Sequence, residues 1–171
     1  AALKATFGER VLIARCRTHK RRNVLEHLPE DQRTFIGRKL DKAWQLTDAE
    51  QAEQELRALA RQLQADHPGA AASLREGLEE TLTVTRLGLS PSLLRTFKST
   101  NPIESMISVA RTVTGNVKRW RNGEMILRWT AAGVLEAEKQ FRRVNGYRDL
   151  QLLRIALAAR AQPPPAAVTV A

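Results

Sequence analysis

The sequence predicts a mainly α-helical protein that contains a single strand. Only 5% of its 171 residues are aromatic, and the apolar 43% are rich in alanine and leucine, as is typical of helical proteins. Apolar residues recur at helical spacing between recognisable caps, whereas residues 11–14 are the one good strand candidate, short and partly β-branched. One strand cannot form a sheet alone. We therefore expect further strands upstream of Ala1, in a longer protein of which this chain is a piece.

Three helices are predicted around this strand. Residues 1–7 are expected to end a helix that Gly8 closes, and residues 18–27 to form a basic helix that stops before Pro29. The third helix should span residues 29–46. Its inward face carries apolar side chains at helical spacing, namely Phe35, Ile36, Leu40, Ala43 and Trp44.

Two further helices are predicted in the middle of the chain. The segment Thr47-Asp48-Ala49-Glu50 forms a capping box and begins a helix that stops near Pro68. The next helix, over residues 70–86, places leucines four residues apart on one face.

Proline marks the start of the next two helices. Ser90-Pro91 begins a short one. In the other, Asn101 caps the helix, Pro102 takes the first position and Glu104 the third. The remaining helices are predicted over residues 124–144 and 149–160.

Composition excludes several classes of protein. No apolar run approaches the length of a membrane span, and no signal peptide opens the chain. The single cysteine, Cys16, excludes an internal disulfide framework and fits a reducing compartment. We therefore predict a cytoplasmic protein with no membrane partner.

The net charge of +10 is distributed in blocks. Residues 1–40 carry ten basic and four acidic side chains, residues 41–90 carry five and nine, and residues 91–171 carry thirteen and five. Two basic ends that flank an acidic middle favour a polyanionic partner such as nucleic acid. Charge kept only for solubility would be scattered instead.

Glu104 and Arg111 are the first candidates for chemistry. They lie seven residues apart, close to two helical turns, so both belong to one face of the predicted helix. A carboxylate that can bind a metal, next to cations that can bind phosphate, is what phosphodiester chemistry on DNA requires. The alternative is that Glu104 only caps its own helix.

Two clusters of basic residues are candidates for DNA binding. Each could instead be a solvated helix face, but Trp120 lies among the cations of the second cluster and favours backbone contact with stacking. The first cluster consists of Arg10, Arg15, Arg17, Lys20, Arg21 and Arg22, and the second of Lys118, Arg119, Arg121 and Arg128, with Arg142, Arg143 and Arg148 further on.

Cys16, His19 and Trp44 each have a structural interpretation. Cys16 and His19 have the spacing of half a zinc site, but no second half follows at ligand spacing. A buried cysteine at a strand end, followed by a histidine that caps the next helix, explains them better. Trp44 lies on an apolar stripe, so core packing is its default role.

Four motifs occur in order along the chain. They are the run Cys16 to Val24, the segment Ser99-Thr100-Asn101-Pro102-Ile103-Glu104-Ser105, the run Asn116 to Gly123, and Phe141-Arg142-Arg143 followed by residues 146–150. Together they resemble the C-terminal portion of bacterial insertion-sequence transposases of the Mutator type, over essentially residues 1–160. Any one motif would be weak evidence, whereas four in order are specific.

The resemblance implies a ribonuclease H-like α/β fold, of which this chain holds an incomplete part. Residues 1–24 would be a residual helix and strand, and residues 25–95 a helical insertion. Residues 96–160 would hold the closing catalytic helix and the C-terminal helices. Residues 161–171, which are rich in proline, are predicted to be a disordered tail.

The resemblance also implies roles for individual residues. Glu104 matches the last member of an Asp, Asp, Glu triad that holds two Mg²⁺ or Mn²⁺ ions. Arg111 matches a basic residue that commonly follows this glutamate by seven positions. A tryptophan in the helical insertion of related transposases assists in handling DNA ends, which makes Trp44 a candidate DNA contact as well as a core residue.

Both aspartates of the triad are expected upstream of residue 1, and no aspartate in this chain replaces them. Hard cations need several oxygen ligands, so we expect this chain alone to bind no metal and to be inactive. It would be either a fragment or the product of a truncated element.

The main functional hypothesis is DNA transposition by metal-dependent strand cleavage and transfer, with the basic clusters binding transposon ends and target DNA. Self-association is expected in the intact protein. The alternative is a non-catalytic helical module for DNA binding or assembly, such as a truncated transposase that acts as an inhibitor. A purely structural helical protein is a third possibility and would show no preference for DNA over other polyanions.

Overall fold

A computed structural model describes the backbone of residues 5–6, 8 and 11–161, and the side chains of these residues as far as 159. The chain divides into two compact units. The first unit comprises Ala1–Lys98 and Asn145–Ala171, and the second comprises Ser99–Val144.

Both units are built from helices joined by turns and irregular segments. The helices in chain order are α1 (Arg17–Glu26), α2 (Glu30–Gln45), α3 (Ala49–Leu63), α4 (Pro68–Arg75), α5 (Thr83–Arg86), α6 (Pro91–Phe97), α7 (Asn101–Thr114), α8 (Gly123–Glu138) and α9 (Leu150–Ala161). A 3₁₀ turn, Glu79–Leu82, precedes α5, and a second, Tyr147–Asp149, precedes α9.

The predicted strand at residues 11–14 is wrong, because residues 11–16 are irregular and no strand occurs in the described part of the chain. This segment is instead tied to the 3₁₀ turn and to α5. Arg15 N donates to Glu80 O at 3.0 Å, and Thr83 Oγ1 donates to Ile13 O at 2.7 Å. A strand needs a second strand to complete its backbone ladder. The mainly α prediction is confirmed, and the ribonuclease H-like fold stays a prediction.

Several helix boundaries differ from the prediction. The helix predicted over residues 70–86 is broken after Arg75, because Gly77 has a φ of +61°, which favours glycine. A Cβ at this position would also collide with the Arg15 guanidinium. The N-cap of α3 is Asp48 rather than Thr47, and its Oδ1 accepts hydrogen bonds from Glu50 N at 2.8 Å and Gln51 N at 3.2 Å.

The C-terminal elements differ in length. The helix predicted to end at Val144 stops at Glu138. Ala161, assigned to the predicted tail, is the last residue of α9. Residues 162–171, and the helix predicted over residues 1–7 apart from residues 5 and 6, lie outside the described residues.

The core of the first unit is built from apolar side chains, mostly leucine and alanine, of α1 to α4 and the 3₁₀ turn that follows them. These residues recur at three- and four-residue spacing on each helix, as an amphipathic helix requires. The least exposed of them are Val24, Leu40, Ala52, Leu56, Ala60, Ala70, Ala71, Leu74 and Leu82.

The Arg17 side chain is buried in this core and binds three oxygens. Its Nε donates to Thr81 O at 2.8 Å, its Nη1 to Trp44 O at 2.8 Å, and its Nη2 to Thr85 Oγ1 at 2.5 Å. All three acceptors are uncharged. Burial therefore lowers the pKa of Arg17 to about 10, because removal from water disfavours the charged form.

Lys20 lies one turn further along α1 and is only 2% exposed. Its Nζ donates to Ser73 O at 2.6 Å, to Glu76 O at 2.5 Å and to Glu76 Oε2 at 2.7 Å. The hydrogen bond from Lys20, supported by a second one from Arg15, lowers the pKa of Glu76 below its ordinary value of 4.5. Arg17 and Lys20 thus fix α1 against α4 and the 3₁₀ turn.

The second unit is a hairpin of α7 and α8 that depends on small residues. A Cβ on Gly133 would lie 2.9 Å from Ala110 Cα and 3.0 Å from Ala110 Cβ. Gly133 and Ala137 are buried, and they are one turn apart on α8. The two helices can therefore approach closely only because these positions lack larger side chains.

The chain returns to the first unit close to the point where it leaves. Thr96 Oγ1 donates to Asn145 O at 3.0 Å. Gly146 has a φ of +79°, and a Cβ on it would lie 2.7 Å from Leu93 N. Residues 145 and 146 are thus fixed to α6, whose last residue, Phe97, lies two positions before the start of the second unit.

Replacing Arg17 with methionine should strongly destabilise the first unit. The change leaves two buried carbonyl oxygens and one hydroxyl without their donor, and each such group costs about 1–3 kcal/mol. We expect the free energy of unfolding to fall by about 3 kcal/mol or more in urea titrations followed by circular dichroism. Arg22→Met is the matched control, because the Arg22 side chain is 64% exposed. Equal stability of the two variants would contradict this role for Arg17.

Replacing Gly133 with alanine should weaken the second unit. The added Cβ would press on the backbone of α7, and such overpacking costs about 1–3 kcal/mol. Amide hydrogen exchange in α7 and α8 should then be faster by roughly tenfold or more. Gly123→Ala serves as the control, since a Cβ there meets nothing within 4 Å. Exchange rates that change equally in both variants would argue against a close contact at Gly133.

Candidate nucleic-acid interface

Glu104 lies in the first turn of α7, which begins one residue earlier than predicted. Thr100 is the N-cap, so Asn101 is the first helical residue rather than the cap and Pro102 is the second. Thr100 O accepts a hydrogen bond from Glu104 N at 2.9 Å, and Thr100 Oγ1 donates to Glu104 Oε1 at 2.5 Å. The carboxylate is therefore held near the helix start while its side chain is exposed.

Arg111 is exposed on the same helix, seven residues after Glu104. Ser108 and Arg111 are exposed, whereas Val109 and Ala110 are half-buried. Glu104 and Arg111 thus belong to the solvent-exposed face of α7, about 10 Å apart along its axis. This face presents one negative and one positive group to a ligand.

The connection between α7 and α8 gathers the second cluster of basic residues. A concave surface of about 560 Å³ lies between this connection and the first turns of α8. Asn122 helps to fix it, because its Oδ1 accepts a hydrogen bond from Met125 N at 2.9 Å. We call this surface the basic groove, and its main lining side chains are Asn116, Lys118, Arg119, Arg121, Arg128 and Trp129.

The cations of the basic groove are available to a ligand. All four are exposed, and none forms an ion pair within the described part of the chain. Trp129 lines the groove and is 39% exposed, and the nearby Trp120 is 44% exposed. Unpaired cations beside accessible aromatic rings suit a nucleic-acid backbone with stacked bases.

Trp129 is a groove residue that the sequence analysis did not identify as one. The helical spacing of residues 125, 129 and 132 predicts an apolar core stripe along α8. The available signal was the position of Trp129 directly after Arg128, one helical turn after Met125. That position brings its ring to the groove.

The first basic cluster is divided by the structure. Lys20 is a buried structural residue, which removes it from the candidate DNA contacts, because its ammonium group already binds three oxygens. Arg21 is partly exposed, and its Nε lies 3.2 Å from both carboxylate oxygens of Asp41. Arg22 is exposed, with a 3.6 Å contact to Glu26. Of the three α1 cations predicted to bind DNA, only Arg21 and Arg22 can reach solvent.

Trp44 is a core residue in this structure. It is 6% exposed, and its indole Nε1 donates to Thr81 Oγ1 at 3.1 Å. A DNA contact would require this ring to leave the core. The structure therefore supports the packing interpretation and not the interpretation of Trp44 as a DNA contact.

Cys16 and His19 do not form part of a described metal site. Cys16 is buried at the N-cap of α1, and His19 is half-buried in the first turn. Among the residues that the structure describes, no three histidine, cysteine, aspartate or glutamate side chains cluster as metal ligands would. The expectation of a buried cysteine is confirmed, although the described residues directly before it, 11–15, are irregular and not a strand.

None of the described helices has the length and apolarity that a bilayer span requires.

The chain is similar to proteins of known class. The family model "Transposase, Mutator family" matches residues 1–144. A transposase for insertion sequence element ISRM5 from Rhizobium meliloti (strain 1021) is 29% identical over 157 residues, which cover 90% of this chain and 39% of the relative. A transposase for insertion sequence element IST2 from Acidithiobacillus ferrooxidans is 28% identical over 127 residues, covering 74% and 42%.

No solved structure matches the chain. The chain spans about two fifths of the length of these curated relatives. The family model nevertheless covers most of the chain, from residue 1 to the last residue of the second unit. The chain therefore belongs to the Mutator family of transposases.

Proposed function

We propose that this chain serves DNA transposition, with its second unit contacting the DNA phosphate backbone and Glu104 supplying one carboxylate to the cleavage centre of the full-length enzyme. The observation that carries the proposal is the basic groove, where four exposed cations have no acidic partner among the described residues. A surface of this kind attracts a polyanion and releases counterions when it binds.

Glu104 supports the catalytic part of the proposal by its position. Its carboxylate is exposed in the first turn of α7 and is held there by Thr100. Arg111, on the same face, would contact a phosphate near the cleaved bond, because a guanidinium can bind two phosphate oxygens at once. Membership of a transposase family supports a part in DNA transposition for the chain as a whole.

The residues present do not fit a complete Mg²⁺ or Mn²⁺ site. Such ions need several oxygen ligands, and no suitable group of side chains surrounds Glu104 in the described part of the chain. In the full-length enzyme, Glu104 would be one of several residues that hold the metal, which would supply Lewis-acid activation of an oxygen nucleophile. The contribution of this chain is a positioned carboxylate and the cations that hold the DNA strand.

The second candidate is a module that binds DNA and assembles with partners without cleaving. It is favoured by the presence of Glu104 as a single candidate ligand without a described cluster around it. This chain alone would then occupy transposon ends or bind other subunits, and so inhibit a complete transposase. Self-association of the intact protein is part of both candidates.

The catalytic role can be tested by replacing Glu104 with glutamine in a full-length transposase that carries this sequence. Glutamine keeps an acceptor for Thr100 but cannot supply a negative charge to a metal site. Strand cleavage should fall below detection, while binding of transposon ends stays within about twofold. Glu124→Gln is the control, because Glu124 is also exposed in the first turn of a helix of the second unit. Normal cleavage by Glu104→Gln would exclude Glu104 from the cleavage centre and favour the non-catalytic candidate.

The role of the basic groove can be tested on the 171-residue chain with the double variant R119Q/R121Q. Each phosphate contact contributes about 0.9 to the slope of log affinity against log salt. The slope for duplex DNA, measured by fluorescence anisotropy, should therefore become less negative by about 2.

The double variant K42Q/R61Q is the matched control for charge. Lys42 and Arg61 are exposed on α2 and α3, outside the basic groove. K42Q/R61Q removes two positive charges, as R119Q/R121Q does. It should leave the slope nearly unchanged. Equal slopes for the two double variants would show that the groove has no special part in DNA binding.

A further inference from the structure

A second concave surface lies in the first unit, between α1, α2 and α6. Its volume is about 530 Å³. Four cations line it, and Asp41 is the only acidic side chain among the described residues of its wall. We call it the first-unit groove, and its charged lining consists of Arg17, Arg21, Asp41, Arg95 and Lys98.

The single carboxylate compensates only one of these cations. Asp41 pairs with Arg21, with both carboxylate oxygens 3.2 Å from Arg21 Nε. The hydrogen bonds of Arg17 go to uncharged oxygens. Arg95 and Lys98 form no ion pair in the part of the chain that the structure describes. The wall of the groove thus keeps a strong excess of positive charge.

Arg95 and Lys98 are placed for direct contact with a ligand. Both are exposed. They lie three residues apart at the end of α6, a spacing that puts their Cβ atoms about 5–6 Å apart on one side of the helix. Two cations at this spacing can reach neighbouring phosphates of one strand. Arg17 contributes charge from within the wall, since it is 6% exposed and each of its three nitrogens already donates to a protein oxygen.

Arg21 is held at the edge of the groove by a feature of α2. Gly37 lies in the interior of α2, where glycine is unfavourable by about 1 kcal/mol relative to alanine. A Cβ on Gly37 would collide with Arg21 Nη2. Glycine at this position therefore lets the guanidinium lie against the helix backbone and pair with Asp41.

The remaining wall contains hydrogen-bonding and apolar groups. Its polar groups belong to Thr18, Gln45 and Thr47, and its apolar groups to Leu46, Pro91 and Leu94. A concave surface with one sign of charge and low-dielectric walls concentrates the electric field on an anion. Excess positive charge with few acidic groups matches phosphodiesters, which carry one negative charge per nucleotide.

We propose that the first-unit groove binds phosphate groups of a DNA backbone, with Arg95 and Lys98 as the direct contacts and Arg21 beside them. The proposal rests on the proposed function, that is, on the action of this family member on DNA. It adds a second phosphate-binding surface, made of residues outside the basic groove.

The test is the salt dependence of duplex DNA binding by the 171-residue chain and its double variant R95Q/K98Q. Loss of two phosphate contacts should make the slope of log affinity against log salt less negative by about 2, with a roughly tenfold loss of affinity at moderate salt. The variant R95K/K98R preserves both charges and should keep the slope of the unmodified chain. K42Q/R61Q is again the control for loss of charge elsewhere in the first unit.

Folding of each variant is checked by circular dichroism and urea unfolding. Arg95 and Lys98 are exposed, so the unfolding midpoint should not move. A slope for R95Q/K98Q equal to that of K42Q/R61Q would overturn the proposal, and these residues would then serve only the C-terminal end of α6.

The outcomes separate this proposal from the proposed function. If R119Q/R121Q lowers the slope and R95Q/K98Q does not, the first-unit groove is excluded while the role of the basic groove stands. The reverse result supports the first-unit groove and excludes the basic groove. Absence of salt-dependent DNA binding by the unmodified chain overturns both.

A competition experiment distinguishes a DNA backbone from a free nucleotide as the source of phosphate. A deoxynucleoside monophosphate is added at the same total phosphate concentration as the DNA. The bound DNA should stay bound, because only a polymer occupies several phosphate sites together. Displacement of DNA from the unmodified chain, but not from R95Q/K98Q, would assign the groove to free nucleotides and overturn the proposal.

Discussion

The first unit depends on the burial of two cations of α1. Arg17 and Lys20 lie one turn apart and donate to main-chain oxygens of α2, α4 and the 3₁₀ turn, and to two side chains. A buried charge is tolerated only when hydrogen bonds or an opposite charge offset the loss of its hydration. No buried side-chain nitrogen or oxygen in the described residues is without a hydrogen-bond partner. This requirement fixes the rotation of α1, and through it the direction in which Arg21 and Arg22 point.

The helices were largely predictable from sequence, whereas the roles of the α1 cations were not. Three positions at helical spacing on α1 are buried, namely Arg17, Lys20 and Val24. The pattern was visible, but a run of cations is ordinarily exposed, because burying a charge is unfavourable without many acceptors. Those acceptors come from residues 44 to 85, which sequence alone does not bring near α1. The strand prediction failed for a related reason, since its partner had to be supplied by tertiary structure.

The candidate sites show the same division between local and tertiary information. The exposed position of Glu104 in the first turn of α7 follows from a local motif with proline, and an error of one residue at the helix start did not change it. The cations of the basic groove are neighbours in sequence, so they too were predicted. Arg95 and Lys98 line the same groove as Arg21 only because tertiary packing brings the end of α6 near α1 and α2. Spacing along the chain could not predict that these three cations line one groove.

The hydrogen bond from Thr96 to Asn145 has a consequence for the architecture of the chain. Because both ends of the second unit are attached at α6, residues 99–144 form an excursion whose entry and exit points coincide. A short linker could join these points with a smaller loss of chain entropy than the present excursion requires. In topological terms the hairpin is an insertion between two segments of the first unit. Changes within the hairpin would alter Glu104, Arg111 and the basic groove together, without altering the core of the helical body that carries it.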